Sequence, residues 1–260
     1  MLKAIPAIVI AAFLAALPAR AQEPYSELRN QGPTTLAITF RCDPAKKAAL
    51  REHMLKAGLA RFEGYKARGV LKDYRILFNS YLDTDTFDML SLLTFQKYAD
   101  VARWREIEKT APGGLSEDGL KLISSAVTSS LDIVRHAASS EEPARGRSVF
   151  FIIPYDYEIS TDEYVKYLDG YVIPQVTGWI KENVLATYTI YLSRYSTSRP
   201  WSSLFVLEYR DSDAFGLREA TVAKVRAALK SNPAWKTLSD TKRKIRTEKQ
   251  TVIAEELVHP

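Results

Sequence analysis

Gly64-Tyr65-Lys66-Ala67-Arg68-Gly69-Val70-Leu71-Lys72-Asp73-Tyr74-Arg75-Ile76 recurs 114 residues later as Gly178-Trp179-Ile180-Lys181-Glu182-Asn183-Val184-Leu185-Ala186-Thr187-Tyr188-Thr189-Ile190. The glycine, the Val-Leu pair, the tyrosine and the final isoleucine are identical. The same ungapped offset carries Tyr81 onto Tyr195, Phe87 onto Trp201, Leu90 onto Leu204, Leu93 onto Leu207 and Phe95 onto Tyr209, and backwards Ile38 onto Ile152. Chance likeness between two amphipathic segments does not keep one register across a turn, so the chain reads as a tandem duplication. The units run over residues 34–139 and 148–257, and the polar stretch 140–147, with Pro143 and Gly146, reads as the linker.

Each unit gives the same order of elements. An apolar strand (36–41, then 149–153) leads into a helix, capped by Asp43 with Pro44 in the first unit. In the second, Ser160 with Glu163 forms a capping box. Gly69 and Asn183 end these helices, the two residue types that best tolerate a left-handed backbone. Pro174 is expected to kink or split the second helix, because it lacks an N–H and crowds the preceding turn. Two strands follow as a hairpin (72–81 and 87–96; 186–195 and 201–210). A further helix comes next (99–109; 213–230), and Asn232-Pro233 starts a short helix carrying Trp235. Last strands are expected near 130–136 and 244–254.

The order β-α-β-β-α-β is the split βαβ motif, with both helices on one face of a four-stranded antiparallel sheet. The other face must be buried against something. The predicted fold is therefore α+β: two ferredoxin-like βαββαβ repeats packed sheet to sheet as an intrachain α+β barrel.

Composition sets the class around that fold. Hydrophobic residues make up 46% and charged residues 26% of 260, as in ordinary globular proteins. Residues 1–21 read as a signal peptide: Lys3, an apolar run from Ile8 to Leu17, and Ala19-Arg20-Ala21 before the cut. The run is short for a membrane span, and no later segment is apolar enough for one. The expected location is periplasmic or secreted, as a monomer or homodimer. Removing Lys3 and Arg20 from the 36 basic residues leaves 34 against 31 acidic ones, a formal charge of +3, which does not suggest nucleic acid. Cys42 is the single cysteine, so no internal disulfide forms, and it reads as a buried thiol.

The duplication, the element order and aromatic strands such as Tyr74-Arg75-Ile76-Leu77-Phe78 and Phe87-Asp88-Met89-Leu90 resemble the dimeric α/β barrel superfamily in its fused form. Asn232-Pro233-Ala234-Trp235 followed by Ile245-Arg246-Thr247-Glu248 is similar to uncharacterised exported members and, more distantly, to NIPSNAP-like proteins. The resemblance covers nearly the whole mature chain. That superfamily includes haem-degrading and peroxidase-like enzymes, quinol monooxygenases and stress-response proteins. No motif of any one branch is present, so the resemblance carries over no activity.

Strand alternation selects the candidate site. Arg75, Asn79 and Tyr81 share one face of their strand; Tyr191 and Tyr195 share the matching face in the second unit, and Glu208 lies on the adjacent strand. Together these six are expected to line the barrel interior and bind a small, partly aromatic ligand. The plainer reading is an interior closed by tyrosine hydroxyls and paired charges. His53 and His136 are the candidates for a haem ligand or general base in the alternative reading, a monooxygenase-like or haem-handling enzyme; as ordinary residues they are a half-buried helix histidine and a strand-end histidine. No metal-ligand spacing, phosphate loop or nucleophile elbow is present, and no cofactor is predicted. A third reading is a purely structural partner-binding domain.

Overall fold

A computed structural model of the chain describes residues 33–143 and 146–259. The signal-peptide reading of residues 1–21 and part of the proposed linker lie outside them. The chain is a mixed α+β protein built on a large antiparallel sheet. Its elements are β1 (Thr34–Cys42), α1 (Lys47–His53), α2 (Leu59–Ala67), β2 (Asp73–Asn79), β3 (Met89–Phe95), α3 (Val101–Glu108), α4 (Glu117–Leu120) and β4 (Ile123–Ala138). Then come β5 (Val149–Tyr157), α5 (Thr161–Tyr167), α6 (Ile173–Lys181), β6 (Leu185–Ser193), β7 (Ser203–Tyr209), α7 (Ser212–Gly216), α8 (Arg218–Leu229), α9 (Pro233–Ile245), β8 (Arg246–Glu248) and β9 (Val252–Glu256).

Strands neighbour one another in the order β7-β6-β4-β1-β3-β2-β9-β5, and β5 pairs with β7, so eight strands close into a ring, with β8 alongside β5. The order β4-β1-β3-β2 within the first half is repeated as β9-β5-β7-β6 in the second. The halves join where β4 meets β6 and where β2 meets β9. Closure pairs the central strands on both sides, although residues 123–130 of β4 pair with β1 alone.

Local chemistry acts as the sequence indicates at most turns. Asp43 accepts the Ala45 N–H at 2.9 Å, and Ser160 and Glu163 complete a capping box. Gly69 (φ 66°) and Asn183 (φ 61°) both take the left-handed conformation. The second helix divides just ahead of Pro174, as expected. A wide π turn over Met54–Gly58 separates α1 from α2, and one over Leu168–Val172 separates α5 from α6, at the repeat offset. The first unit has no proline there, so the turn belongs to the shared backbone plan rather than to Pro174. Other boundaries differ as well. β4 runs for 16 residues because it must span both β1 and β6. The Trp235 helix continues for 13 residues to Ile245, so the expected strand 244–254 is two short strands instead.

Three cores result. One lies between the first-half helices and sheet around Phe40, Leu50, Met54, Phe62 and Trp104. A second lies between the second-half helices and sheet around Tyr164, Tyr167, Tyr171, Tyr209 and Trp235. The third fills the ring itself with Leu77, Leu90, Leu131, Phe150, Ile152, Leu204 and Val206, all at most 4% exposed. Each of those side chains removes apolar surface worth roughly 2 kcal/mol from water. The interior expected to hold the ligand is therefore a packed centre, and space remains at the two ends of the ring.

Candidate functional site

β2 and β7 alternate so that Arg75 and Glu208 follow the ring-filling residues Leu77 and Val206 toward one mouth of the barrel. The Glu208 carboxylate, almost fully buried, collects three donors. Arg75 Nη1 lies 3.0 Å from Oε2, Thr187 Oγ1 donates to Oε2 at 2.9 Å, and Ser148 Oγ donates to Oε1 at 2.9 Å. Thr187 is the cross-strand partner of Glu208 on β6. On the other side Arg75 Nε lies 3.7 Å from Glu256 Oε1, and the guanidinium sits 5.2 Å from the Phe150 ring centroid. Burial acts against the Arg75 charge, but Glu256 and Glu208 outweigh it and hold the group more firmly protonated. Behind this cluster, burial pushes the Tyr191 phenol up to about 12 while the Arg75 charge pulls the other way, so Tyr191 is a neutral phenol at physiological pH.

The cluster opens into a cleft of about 450 Å³, walled by Leu59, Tyr74 and Leu257 and rimmed by Glu63, Lys66 and Glu141. A carboxylate that already accepts three hydrogen bonds is a fixed anchor. The guanidinium it anchors has five N–H groups, more than its two carboxylate partners occupy. Such a mouth can hold a small polar molecule by a carbonyl, phenol or carboxylate oxygen, with Tyr74 as an aromatic wall.

The six residues selected from the sequence do not form one pocket. Arg75, Glu208 and Tyr191 come together. Asn79 lies at the far end of β2, about 13 Å along the strand at ~3.3 Å per residue. It is buried, donates to Thr86 Oγ1 at 3.2 Å and the Phe87 carbonyl at 3.1 Å, and accepts from the Tyr81 N–H at 3.0 Å, which is a turn-closing role. Tyr81 and Tyr195 are 63% and 61% exposed. Their strands end at Asn79 and Ser193, so alternation no longer governs them. Thr187, Ser148 and Glu256 were missed. Thr187 was within reach of sequence reasoning, since it lies on the same strand face as Tyr191.

A second cleft of about 390 Å³ opens at the opposite end, over Phe87 and Trp201, which occupy matched positions in the repeat, with Thr39, Arg41, Pro154 and Lys249. Neither histidine candidate lines either cleft. His53 Nε2 lies 3.0 Å from Ser116 Oγ, and a Cβ at Gly119 would stand 3.0 Å from that nitrogen, so no space for a haem adjoins it. His136 is exposed, with Nδ1 2.9 Å from Thr189 Oγ1. The residues present do not fit a haem ligand set. Cys42 is buried, and burial together with nearby Asp88 pushes its thiol up to about 12, as for an inert core thiol. Among the described residues there is no His/Cys/Asp/Glu group arranged for a metal, and no helix long and apolar enough to cross a membrane.

Solved structures share this architecture. A Lactobacillus acidophilus NCFM protein named as a putative monooxygenase matches with a TM-score of 0.55 at 9% identity, over 88% of this chain and 95% of its own. A counterpart of the same description from Fusobacterium nucleatum matches at 0.55 and 13%, over 87% and 93%. An anthrone oxidase-like protein matches at 0.56 and 12%, over 88% and 92%. No protein-family model matches the chain, and no curated protein matches it. At these identities the likeness is one of fold: the chain is built like dimeric α/β barrel proteins.

Proposed function

We propose that this is an exported protein, periplasmic or secreted once residues 1–21 are removed, in which two ferredoxin-like repeats close on each other as an intrachain barrel, and that it binds a small, partly aromatic molecule at the Arg75–Glu208 mouth. The repeat at one offset, the twofold recurrence of the strand order and the matched π turns support the duplication. The observation that carries the ligand reading is the buried Glu208 carboxylate, anchored by Thr187 and Ser148 and presenting Arg75 at the floor of a 450 Å³ cleft. A buried, mutually perturbed ion pair in a cleft is the kind of group that marks a functional site. Thermal-shift screening of the mature chain with small aromatic acids, phenols and quinols tests it. Compounds that raise the melting temperature of the wild type should lose most of that effect in Arg75→Ala. Hits whose effect survives in that variant would place binding elsewhere.

A second reading is a monooxygenase-like enzyme, favoured by the architecture shared with the proteins named above for monooxygenase and anthrone oxidase activity. It predicts oxygen uptake with an anthrone or quinol as probe substrate, abolished by Arg75→Ala. Failure to consume oxygen with a compound that does bind would leave the binding reading alone.

A further inference from the structure

The cleft at the Arg75–Glu208 mouth is dominated by one sign of charge. Six carboxylates line it, those of Glu63, Asp73, Glu141, Glu142, Glu208 and Glu256, against the cations Lys66 and Arg75. Counting His259 on the same lining as a cation, and Arg210, which stands 3.5 Å from Glu141, still leaves carboxylates in excess among the described residues. Both lining cations are already committed. Lys66 Nζ lies 2.8 Å from Asp73 Oδ1, and Arg75 is held between Glu208 at 3.0 Å and Glu256 at 3.7 Å. The floor by itself therefore sets two negative charges against one positive. An anion laid on Arg75 meets both of those carboxylates. An uncharged phenol or carbonyl oxygen accepts from the remaining guanidinium N–H groups without that opposition.

The aromatic wall carries the same sign. The Tyr74 ring stacks on Phe62 with centroids 5.7 Å apart, and its hydroxyl donates to Glu63 Oε2 at 3.2 Å. Burial, with Glu63 beside it, pushes the Tyr74 phenol up to about 12, so it stays a neutral donor and ties Glu63 to the wall. A ring bonded in this way to a carboxylate attracts an ammonium group twice, through its face and through its neighbour. Glu141 and Glu142 reach the cleft from the segment that joins the two halves. A concave site lined by one sign of charge focuses its field, and potentials of several kT are ordinary for such clefts. Most of these carboxylates are exposed, so salt screens their effect.

The geometry points to a cationic aromatic amine as the ligand of this cleft, with an uncharged phenol or carbonyl oxygen on Arg75 and a protonated amine among the carboxylates of Glu63, Glu141 and Glu142. The inference rests on the reading of the Arg75–Glu208 mouth as a ligand site, and it fixes the charge that site accepts. The cavity and its anchored guanidinium make the site; the surrounding carboxylates select what enters it. Of the aromatic acids, phenols and quinols that fit the mouth by size, the acids bind weakest, and a phenol bearing an amine binds best.

The test is titration calorimetry of the mature chain at neutral pH with three probes that share one phenol ring: tyramine, para-ethylphenol and para-hydroxyphenylpropionate. A cleft potential of about 1–2 kT separates the amine from the acid by about tenfold or more at low salt, with the neutral phenol between them. The gap should close to about twofold in about 1 M sodium chloride, where the screening length is about 3 Å. Glu63→Gln combined with Glu142→Gln, both at exposed positions, should shrink the low-salt gap by about threefold or more. An acid that binds as tightly as tyramine, yet loses its binding in Arg75→Ala, would overturn the charge inference and leave the mouth reading standing. Binding of all three that survives in Arg75→Ala would overturn both readings. A gap unchanged by salt or by the double variant, or no binding by tyramine, would overturn the inference as well.

Discussion

The first helix–sheet core is sealed by apolar contacts, the second by a column of phenols. In the first, Phe62, Tyr65, Phe95 and Trp104 pack with ring centroids 5.5–6.5 Å apart around aliphatic neighbours. In the second, Tyr157, Tyr164, Tyr167, Tyr171 and Trp235 stack in sequence at 4.1, 5.9, 5.3 and 5.2 Å, with Arg246 beside them. Both halves carry the same order of four paired strands, although the second adds a helix and the short strand β8. The difference teaches that the fold requires volume and alternation at these positions, not polarity, so the polar choice in one copy calls for its own explanation.

Alkali should produce the largest separation between the cores. Tyr155, Tyr164, Tyr167 and Tyr209 all have raised phenol pKa values, chiefly through burial. In the unfolded chain they ionise near pH 10. Their contribution to stability is complete below that pH and is lost as pH rises through the folded values. With about 1.4 kcal/mol per pH unit for each tyrosine ionised only when unfolded, stability should fall by roughly 5 kcal/mol per unit above pH 10. Denaturant titrations at pH 9, 10 and 11 check this. Tyr164→Phe and Tyr167→Phe should each flatten the slope; an unchanged slope would remove the phenols from the account.

Next in size is the apolar side. Trp104, 1% exposed, closes the first core against Phe62 and Gly114, and Trp104→Ala should cost about 4 kcal/mol by equilibrium unfolding. The shared glycine of the repeat gives a finer contrast. A Cβ at Gly178 would meet Val225 Cγ1 at 2.5 Å, whereas one at Gly64 meets only the flexible Arg68 tip at 3.3 Å. Gly178→Ala should therefore destabilise by about 2 kcal/mol, and Gly64→Ala should stabilise by about 0.5 kcal/mol through helix propensity. Equal effects would mean that the two helices pack alike. Tyr164→Phe near neutral pH should change stability by about 1 kcal/mol, read by equilibrium unfolding.

Much of the architecture was legible because the repeat, the caps and the left-handed helix ends are local signals. Asp43, Ser160, Gly69 and Asn183 behave as their chemistry requires. What stayed hidden depends on distant partners. Nothing near residues 123–129 reveals that β4 must bridge two neighbours, and the π turns leave no composition mark: Pro174 pointed to the break in the second half, while nothing pointed to its counterpart at Met54–Gly58. The site was half legible. Alternation paired Arg75 with Glu208, but carried past the strand ends it drew in Tyr81 and Tyr195, and Asn79 shares the face yet lies too far along it. The tyrosine column beside Arg246 required knowing that α9 reaches Ile245. Its tyrosines were nonetheless visible as substitutions between the copies, at Leu50/Tyr164 and His53/Tyr167.

The ring has two unequal joints. β4 and β6 pair over seven residue pairs, with a bulge between Ile133 and Arg135, whereas β2 and β9 share three, Leu77 to Asn79 against Glu256 to Ala254. Across the narrow joint run the contacts of Arg75 with Glu256 and of Arg51 with Glu255, the latter at 2.7 Å. The wide joint is thus a spine and the narrow one a clasp, and the Arg75 mouth is set into the clasp. Amide exchange should begin at residues 77–79 and 254–256, and whatever settles against Arg75 should slow it there, fastening the cylinder shut from outside.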